Sequence, residues 1–520
     1  MMNLPNWIKF FPTTLLSSLV ARIKLSPIGY RFARGAYWSL VGTICSRGLG
    51  LVAGILVGRL LGKHGLGDLG MIQSTVGVFG AVAGFGMGTM ANRHVSELRL
   101  KDPVRVGRII AMSSATTWIT SGGLALGLVI FAPWIAERAL AAPQLTGLVQ
   151  LGAVLLLLDG INGAQTGALA GFEAFKAISR INLWTGLISF PLMVLGAGMW
   201  GVSGALGGLC VNYAFNCLMN WYALRHETRQ LHITINYTGC WEEIGLFWRF
   251  NLPSVLNSVM YSFATWMCGA ILVHQVNGYS GMGVFNAVKR FRDVPEILVL
   301  TLMAPLLAVL SDTFGNKDNG GFEKALIIAH SASAIIIVPV ALLQIAAPWL
   351  TLLSYGADYK DGDSVVRWLM LGSIALSLVL PINSVFISMG KMWFWFGQVA
   401  VYVTLYIALG AWLIPRYGVV GFSASWTISF ILSNFLCVGF VYSKFYSTMK
   451  SLQWARMFLL ICVLLIPCWM VSNSSNRTLC LAVGLAAGGI FTGWRAFATY
   501  KGLGESYAGL SISDEIPSGM

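Results

Sequence analysis

The sequence predicts an all-α polytopic membrane protein of about fourteen transmembrane helices, built as two six-helix units in parallel internal repeat plus a C-terminal helix pair. Three observations predict it: the composition, the recurrence of apolar runs of spanning length, and an internal duplication. Hydrophobic residues make up 56% of the 520, charged residues only 10%, and the mean hydropathy is +0.73, far from the makeup of a soluble globular chain. A helix of roughly 20 apolar residues crosses about 30 Å of hydrocarbon. The runs are rich in Gly, Leu, Val and Ala and lack the short alternation of an outer-membrane barrel.

Taken in order, residues 1–34 form a cytoplasmic or interfacial N-terminal segment. Its apolar stretch is only about a dozen residues long, with Lys9, Arg22, Lys24, Arg31 and Arg34 around it. With no clean small-residue cleavage site after it, a retained interfacial helix is favoured over a cleaved signal peptide. The first unit, 35–230, holds spans at 35–61, 66–91, 106–134, 144–171, 174–198 and 202–224. The second, 231–443, holds spans at 244–276, 280–310, 322–352, 364–389, 391–414 and 419–442. A helix pair (455–471 and 479–497) occupies 444–500, and a cytoplasmic tail occupies 501–520.

The duplication rests on fragments repeated at an offset of about 215 to 219 residues. "APW" at Ala132 recurs at Ala347, and "GVSG" at Gly201 recurs as "GVVG" at Gly418. More weakly, "LGKHGLGDLG" near Gly62 aligns with "NGYSGMGVFN" near Gly278, and "AGFEAF" near Gly171 with "MGKMWF" near Gly390. Because the repeated unit has an even number of spans, both copies enter the membrane with one orientation, related by an axis along the membrane normal, with a cleft between them.

The net charge of +14 would suggest nucleic acid in a soluble protein. Here its distribution matters more: about 23 of the 34 Lys and Arg fall on the N-terminus, the even-numbered connections and the C-terminus, and about 7 on the odd-numbered ones. That bias predicts two cytoplasmic termini, and no nucleic-acid partner is expected. Nine cysteines, mostly within apolar spans and without a CxxC or Cys/His pattern, read as small buried hydrophobes, so no metal is expected. "GFGMGTM" has neither the strand-helix setting of a dinucleotide site nor a P-loop's GxxxxGK[ST], so close helix packing is the reading and no cofactor is expected.

At this point the residues carry a resemblance. The stretch from Gly58 to Ser74 has an "ARLLGxxxxGxxxxxQS"-like turn, Arg93 to Leu98 an "RYxxEL"-like end, and "GFEAF" follows the fourth span. With the six-plus-six-plus-two layout and the "GVxG" turns, the chain resembles the Wzx-type oligosaccharide flippases, exporters of O-antigen and other polysaccharides within the multidrug/oligosaccharidyl-lipid/polysaccharide (MOP) flippase superfamily. The resemblance implies a V-shaped, two-lobed flippase. It would move an undecaprenyl-diphosphate-linked oligosaccharide across the bacterial inner membrane by alternating access, beside membrane lipid and polysaccharide polymerase machinery. It implies no enzyme activity. One departure stands out: the acidic residue such families often carry late in the seventh helix is missing from "SFATWMCGAIL".

The most unusual stretch is "AVKRFRDVPE", residues 287–296. The apolar remainder after it, "ILVLTLMAPLLAVL", is too short to span, so the helix must include the charges. Lys289 faces Asp293 and Arg292 faces Glu296 at i,i+4 spacing, while Arg290 is left over or shares Asp293. Arg47 adds a cation in the first span. An unpaired cation in hydrocarbon costs at least about 2.5 to 3.5 kcal/mol, so these groups need a wet cavity or a partner. A polyprenyl diphosphate is one such partner, giving Arg47, Lys289, Arg290 and Arg292 as candidate binding residues; pairing of Arg47 with Asp159 is the structural alternative. Asp159, Asp293 and Glu296 are candidates for ion coupling, with structural hydrogen bonding the competing role for Asp159. Asn212 and Asn216, with Asn220 on one face of the sixth span, and Gln73 in the second, can contact glycan or join helices, and helix contact is favoured for the asparagines. Trp184, Trp266, Trp393 and Trp395 read as interfacial anchors before sugar platforms.

Two competitors remain. A cation-coupled multidrug exporter would favour cleft carboxylates over cations. A membrane glycan polymerase or ligase would want a large outward loop, whereas the longest here is about a dozen residues.

Overall fold

The computed structural model describes residues 27–84, 86–99, 101–244, 252–315, 319–388, 392–444, 454–472, 474 and 476–513. The expected interfacial helix of the N-terminal segment, the end of the C-terminal tail and the turn at Gly390 lie outside the described residues. Every regular element described is a helix: α1 (Pro27–Ala83), α2 (Met87–Leu98), α3 (Pro103–Trp134), α4 (Thr146–Gly171), α5 (Phe175–Gln230), α6 (Leu252–Val273), α7 (Gly278–Gly315), α8 (Asn319–Ala346), α9 (Pro348–Tyr355), α10 (Asp363–Ser388), α11 (Met392–Lys444), α12 (Trp454–Val471) and α13 (Arg477–Ser513).

Among the described residues, nine helical stretches are long and apolar enough to cross a membrane. Three of them break internally at a left-handed glycine: α1 at Gly62 (φ 67°), α5 at Gly201 (φ 60°) and α11 at Gly418 (φ 54°). A side chain is strained in that conformation, which is why "RLLGKHG", "MWGVSG" and "RYGVVG" carry glycine at the break. Each broken helix covers two of the predicted spans. The charged α7 and the shorter Arg456–Val471 stand outside the nine. The second predicted span ends earlier than expected, because Gly86 is left-handed and starts α2 separately. Nearby, Gly88 and Gly167 approach backbone to backbone, the packing role read for the glycine-rich stretch.

The backbone carries features at the interval of the sequence repeat. Left-handed residues recur in register: Gly62 with Asn277, Ala141 with Gly356, and Gly201 with Gly418. The contacts between the halves are reciprocal as well. Gly67 packs against the carbonyl of Tyr279, and Gly283 against that of Lys63; both partners shift by the same interval. The "APW" copies differ: α3 continues through Pro133 into a π turn at Ile135–Ala139, whereas Ala347 leaves the helix and Pro348 starts α9.

These approaches close one end of the interface between halves. There Tyr279 Oη donates to Leu140 O (2.7 Å), Tyr359 Oη to Gly58 O (3.1 Å), and Arg59 Nε to Ser354 O (2.6 Å). A continuous apolar core runs across the junction, with Leu66, Leu69 and Ile72 beside Val284, Phe285 and Val288. The C-terminal α13 packs on α8 through Gly484 and Gly488.

Candidate substrate-binding cleft

Between the halves lies a cavity of about 670 Å³. Its first-half wall comes from α1 (Ser46, Arg47, Gln73) and both arms of α5 (Asn182, Thr185, Asn212, Asn216); its second-half wall comes from one face of α7. That face carries Lys289, Arg290, Asp293 and Ile297, positions one helical stripe apart.

The predicted ion pairs of α7 form. Lys289 Nζ lies 3.4 Å from Asp293 Oδ2, and Arg292 Nε lies 3.1 Å from Glu296 Oε1. They point in different directions. Arg292 is only 6% exposed and is not in the cleft lining. Its guanidinium sits 4.4 Å over the Trp426 ring and also meets Asp293 at 3.4 Å. Glu296 accepts from Ser373 Oγ (2.8 Å), and Trp426 Nε1 donates to Tyr261 Oη (3.2 Å). Arg292 and Glu296 therefore sit in a buried, paired cluster inside the second half, and of the four candidate diphosphate-binding cations Arg292 alone lies away from the cavity.

Arg290 lines the cavity and forms no ion pair among the described residues; Asp293 is occupied by Lys289 and Arg292 instead. Its guanidinium lies across Gly54 of α1, where a Cβ would collide with it. Glycine at 54 is what lets this second-half cation reach the first half. Arg47 is exposed, lines the same cavity and is not ion-paired to Asp159 among the described residues. Asp159 is outside the lining, on α4, its carboxylate close to Gly80. Asp293 is the one carboxylate among the described lining residues.

The asparagines divide between two roles. Asn220 Nδ2 donates to Asn162 Oδ1 (3.2 Å) and Asn216 Oδ1 (2.6 Å), and Asn162 Nδ2 to Tyr213 O (3.2 Å), joining α4 to α5. Asn216 Nδ2 donates to Thr185 Oγ1 across the two arms of α5 (3.3 Å). Asn212 lines the cleft instead, and its Oδ1 has no hydrogen-bond partner among the described residues. None of the four tryptophans singled out lines the cavity: Trp184 and Trp393 are exposed, and Trp266 donates to Thr75 Oγ1 across the halves (3.1 Å). Sequence reasoning missed Ser46, Asn182, Thr185 and Asn286. The signal for two of them was present, since Asn182 and Thr185 lie three apart on a span whose other residues are largely apolar.

The chain is similar to known proteins over most of its length. The family model described as "Polysaccharide biosynthesis protein" matches residues 32–313. Lipid III flippase of Escherichia coli (strain K12) is 24% identical over 413 residues, 78% of this chain and 97% of the relative. Succinoglycan biosynthesis transport protein ExoT of Rhizobium meliloti (strain 1021) is 24% identical over 403 residues, 73% of this chain and 74% of the relative. Among solved structures, Lipid II flippase MurJ in an inward closed conformation superposes with a TM-score of 0.66 at 15% identity, covering 87% of this chain and 97% of that one. The chain belongs to the polysaccharide biosynthesis protein family.

Proposed function

We propose that this protein is a flippase that moves an undecaprenyl-diphosphate-linked oligosaccharide across the bacterial inner membrane by alternating access, delivering it to polysaccharide polymerase machinery. Fourteen helices in two six-helix lobes, forming a V, and a C-terminal pair carry this out, with both termini in the cytoplasm. The observation that carries the reading is that two cations without an ion-pair partner among the described residues, Arg47 and Arg290, come from opposite halves to one cavity. A diphosphate satisfies both, since guanidinium forks bind phosphate oxygens bidentately. Lys289 joins them once the anion competes with Asp293, its counter-ion in the structure. The glycan occupies the polar cavity while the lipid tail stays in the bilayer.

The cavity is closed at the Tyr279/Leu140 and Tyr359/Gly58 end, so rocking of the lobes would break these contacts and open that end. A cation-coupled multidrug exporter fits less well, because the carboxylate among the described lining residues is already paired with Lys289. Asp159 remains the candidate for ion coupling in the first lobe, and Asp293 and Glu296 in the second, where Glu296 also fastens Arg292. Deleting the gene tests the function: lipid-linked repeat units should build up on the cytoplasmic leaflet and surface polysaccharide should fall. Normal export without build-up would overturn it.

A further inference from the structure

We propose that the first-half wall of the cleft is a subsite for the sugar bonded directly to the diphosphate, and that it takes a neutral sugar, through amide and hydroxyl hydrogen bonds. The inference rests on the diphosphate reading of Arg47 and Arg290. Asn212 is the reason to look there. It is 5% exposed, lines the cavity, and its side-chain oxygen has no partner among the described residues. Buried amide oxygens are ordinarily satisfied, so this acceptor is available for a ligand's donor.

The surrounding wall is built to hold such a contact. The amide of Asn216 is fixed between Thr185 and Asn220, and Asn182 and Asn212, one on each arm of α5, line the same cavity. Gly186 packs on Ser46, so this wall stands directly beside Arg47. Arg290 crosses α1 at Gly54, seven residues further on, or about 10 Å along the helix. A diphosphate drawn to Arg47 therefore places its attached sugar against the α5 wall. Apart from Arg47, that wall carries no charge. An acidic sugar there would meet an amide oxygen and find no cation that the diphosphate does not already use, whereas a neutral sugar supplies hydroxyl or amide donors.

The test uses the purified full-length protein and four probes: polyprenyl diphosphate alone, and polyprenyl diphosphate carrying N-acetylglucosamine, galactose or glucuronic acid. Affinities are read by native mass spectrometry. At least one neutral-sugar probe should bind about tenfold tighter than the bare carrier, as expected for one hydrogen bond to a buried acceptor, and glucuronic acid should give no such gain. Asn212→Leu should reduce the neutral probe to the affinity of the bare carrier without changing the latter; Asn182→Ala should do so in part, and carries the test if Asn212→Leu fails to fold. The proposal is overturned if no neutral sugar adds affinity, if glucuronic acid adds more, or if the variants weaken bare carrier equally. Arg290→Gln separates the two readings. It should weaken every probe alike, and unchanged binding of bare carrier would reject the diphosphate assignment while the sugar increment is judged on its own.

Discussion

Across the cleft, equivalent positions of the repeat carry different chemistry. Gln73 and Ser74 on the first-half helix correspond to Lys289 and Arg290 on α7, and Gly77 and Gly80 correspond to Asp293 and Glu296. Behind each wall sits a polar cluster that fastens helices. In the first half it is neutral, with Asn162, Asn216 and Asn220 sharing amide hydrogen bonds. In the second it is ionic, with Glu296 accepting from Ser373 and paired to Arg292, whose guanidinium lies over Trp426. The difference teaches that the two halves share left-handed residues in register while their side chains differ. Charge gathered in one half, and the other half became a wall of uncharged donors and acceptors with Arg47 at its edge.

The largest effect should come from breaking the ionic cluster. Removing one member of a buried pair leaves an uncompensated charge, a loss of about 3–5 kcal/mol. Arg292→Met is therefore expected to lower thermal stability sharply, and Arg292→Met with Glu296→Leu to recover most of it. A single variant as stable as wild type, followed by unfolding in detergent, would mean that the cluster does not hold the second half together. Next comes Arg290→Gln, which leaves the fold intact but removes a cation that has no ion-pair partner among the described residues. Loss of a charge-assisted contact predicts roughly a ten- to hundredfold fall in polyprenyl diphosphate affinity, with little change in melting temperature. The contrast between Arg292 and Arg290, two residues apart, sharpens the division between structural and cleft-facing charge.

That division was only half legible in the sequence. The spacing of Lys289 and Asp293, and of Arg292 and Glu296, gave both ion pairs, because i,i+4 geometry is local. Grouping all the cations together overlooked that residues 289, 290, 293 and 297 share one stripe while 292 and 296 share another; the face each stripe meets depends on where α7 docks, which only the fold supplies. The glycine turns at Gly62, Gly201 and Gly418 were readable because positive φ selects glycine. Gly54 was not, since its need arises from an arginine more than two hundred residues away. Asn182 and Thr185 went unread because polar residues in an apolar span declare a buried face without saying whether it meets another helix or a cavity.

A third test addresses the symmetry. Gly67 and Gly283 make reciprocal approaches to Tyr279 and Lys63, so Gly67→Ala and Gly283→Ala each drive a methyl into a carbonyl at the closed end. Overpacking of this kind costs about 1–3 kcal/mol and should shift the protein away from the closed arrangement. Cross-linking of Arg59→Cys to Ser354→Cys with a bifunctional maleimide should fall in both backgrounds by similar amounts. A fall in one background alone would show that the two contacts, though related by the repeat, do not share the work of closure.

The smallest effect is expected where the first half does with amides what the second does with ions. Asn220 donates to Asn162 and Asn216, and its removal leaves neutral groups, each able to reorient or take a water. Asn220→Ala should therefore cost about 1 kcal/mol, well below Arg292→Met, read as a small fall in melting temperature. Because Asn216 then loses the neighbour that orients it, binding of neutral-sugar probes should weaken slightly while bare polyprenyl diphosphate binds as before. A loss as large as that of Arg292→Met would erase the distinction between the halves: it would mean that amide and ionic clusters carry equal structural weight, and that the charge of α7 was not concentrated there for stability.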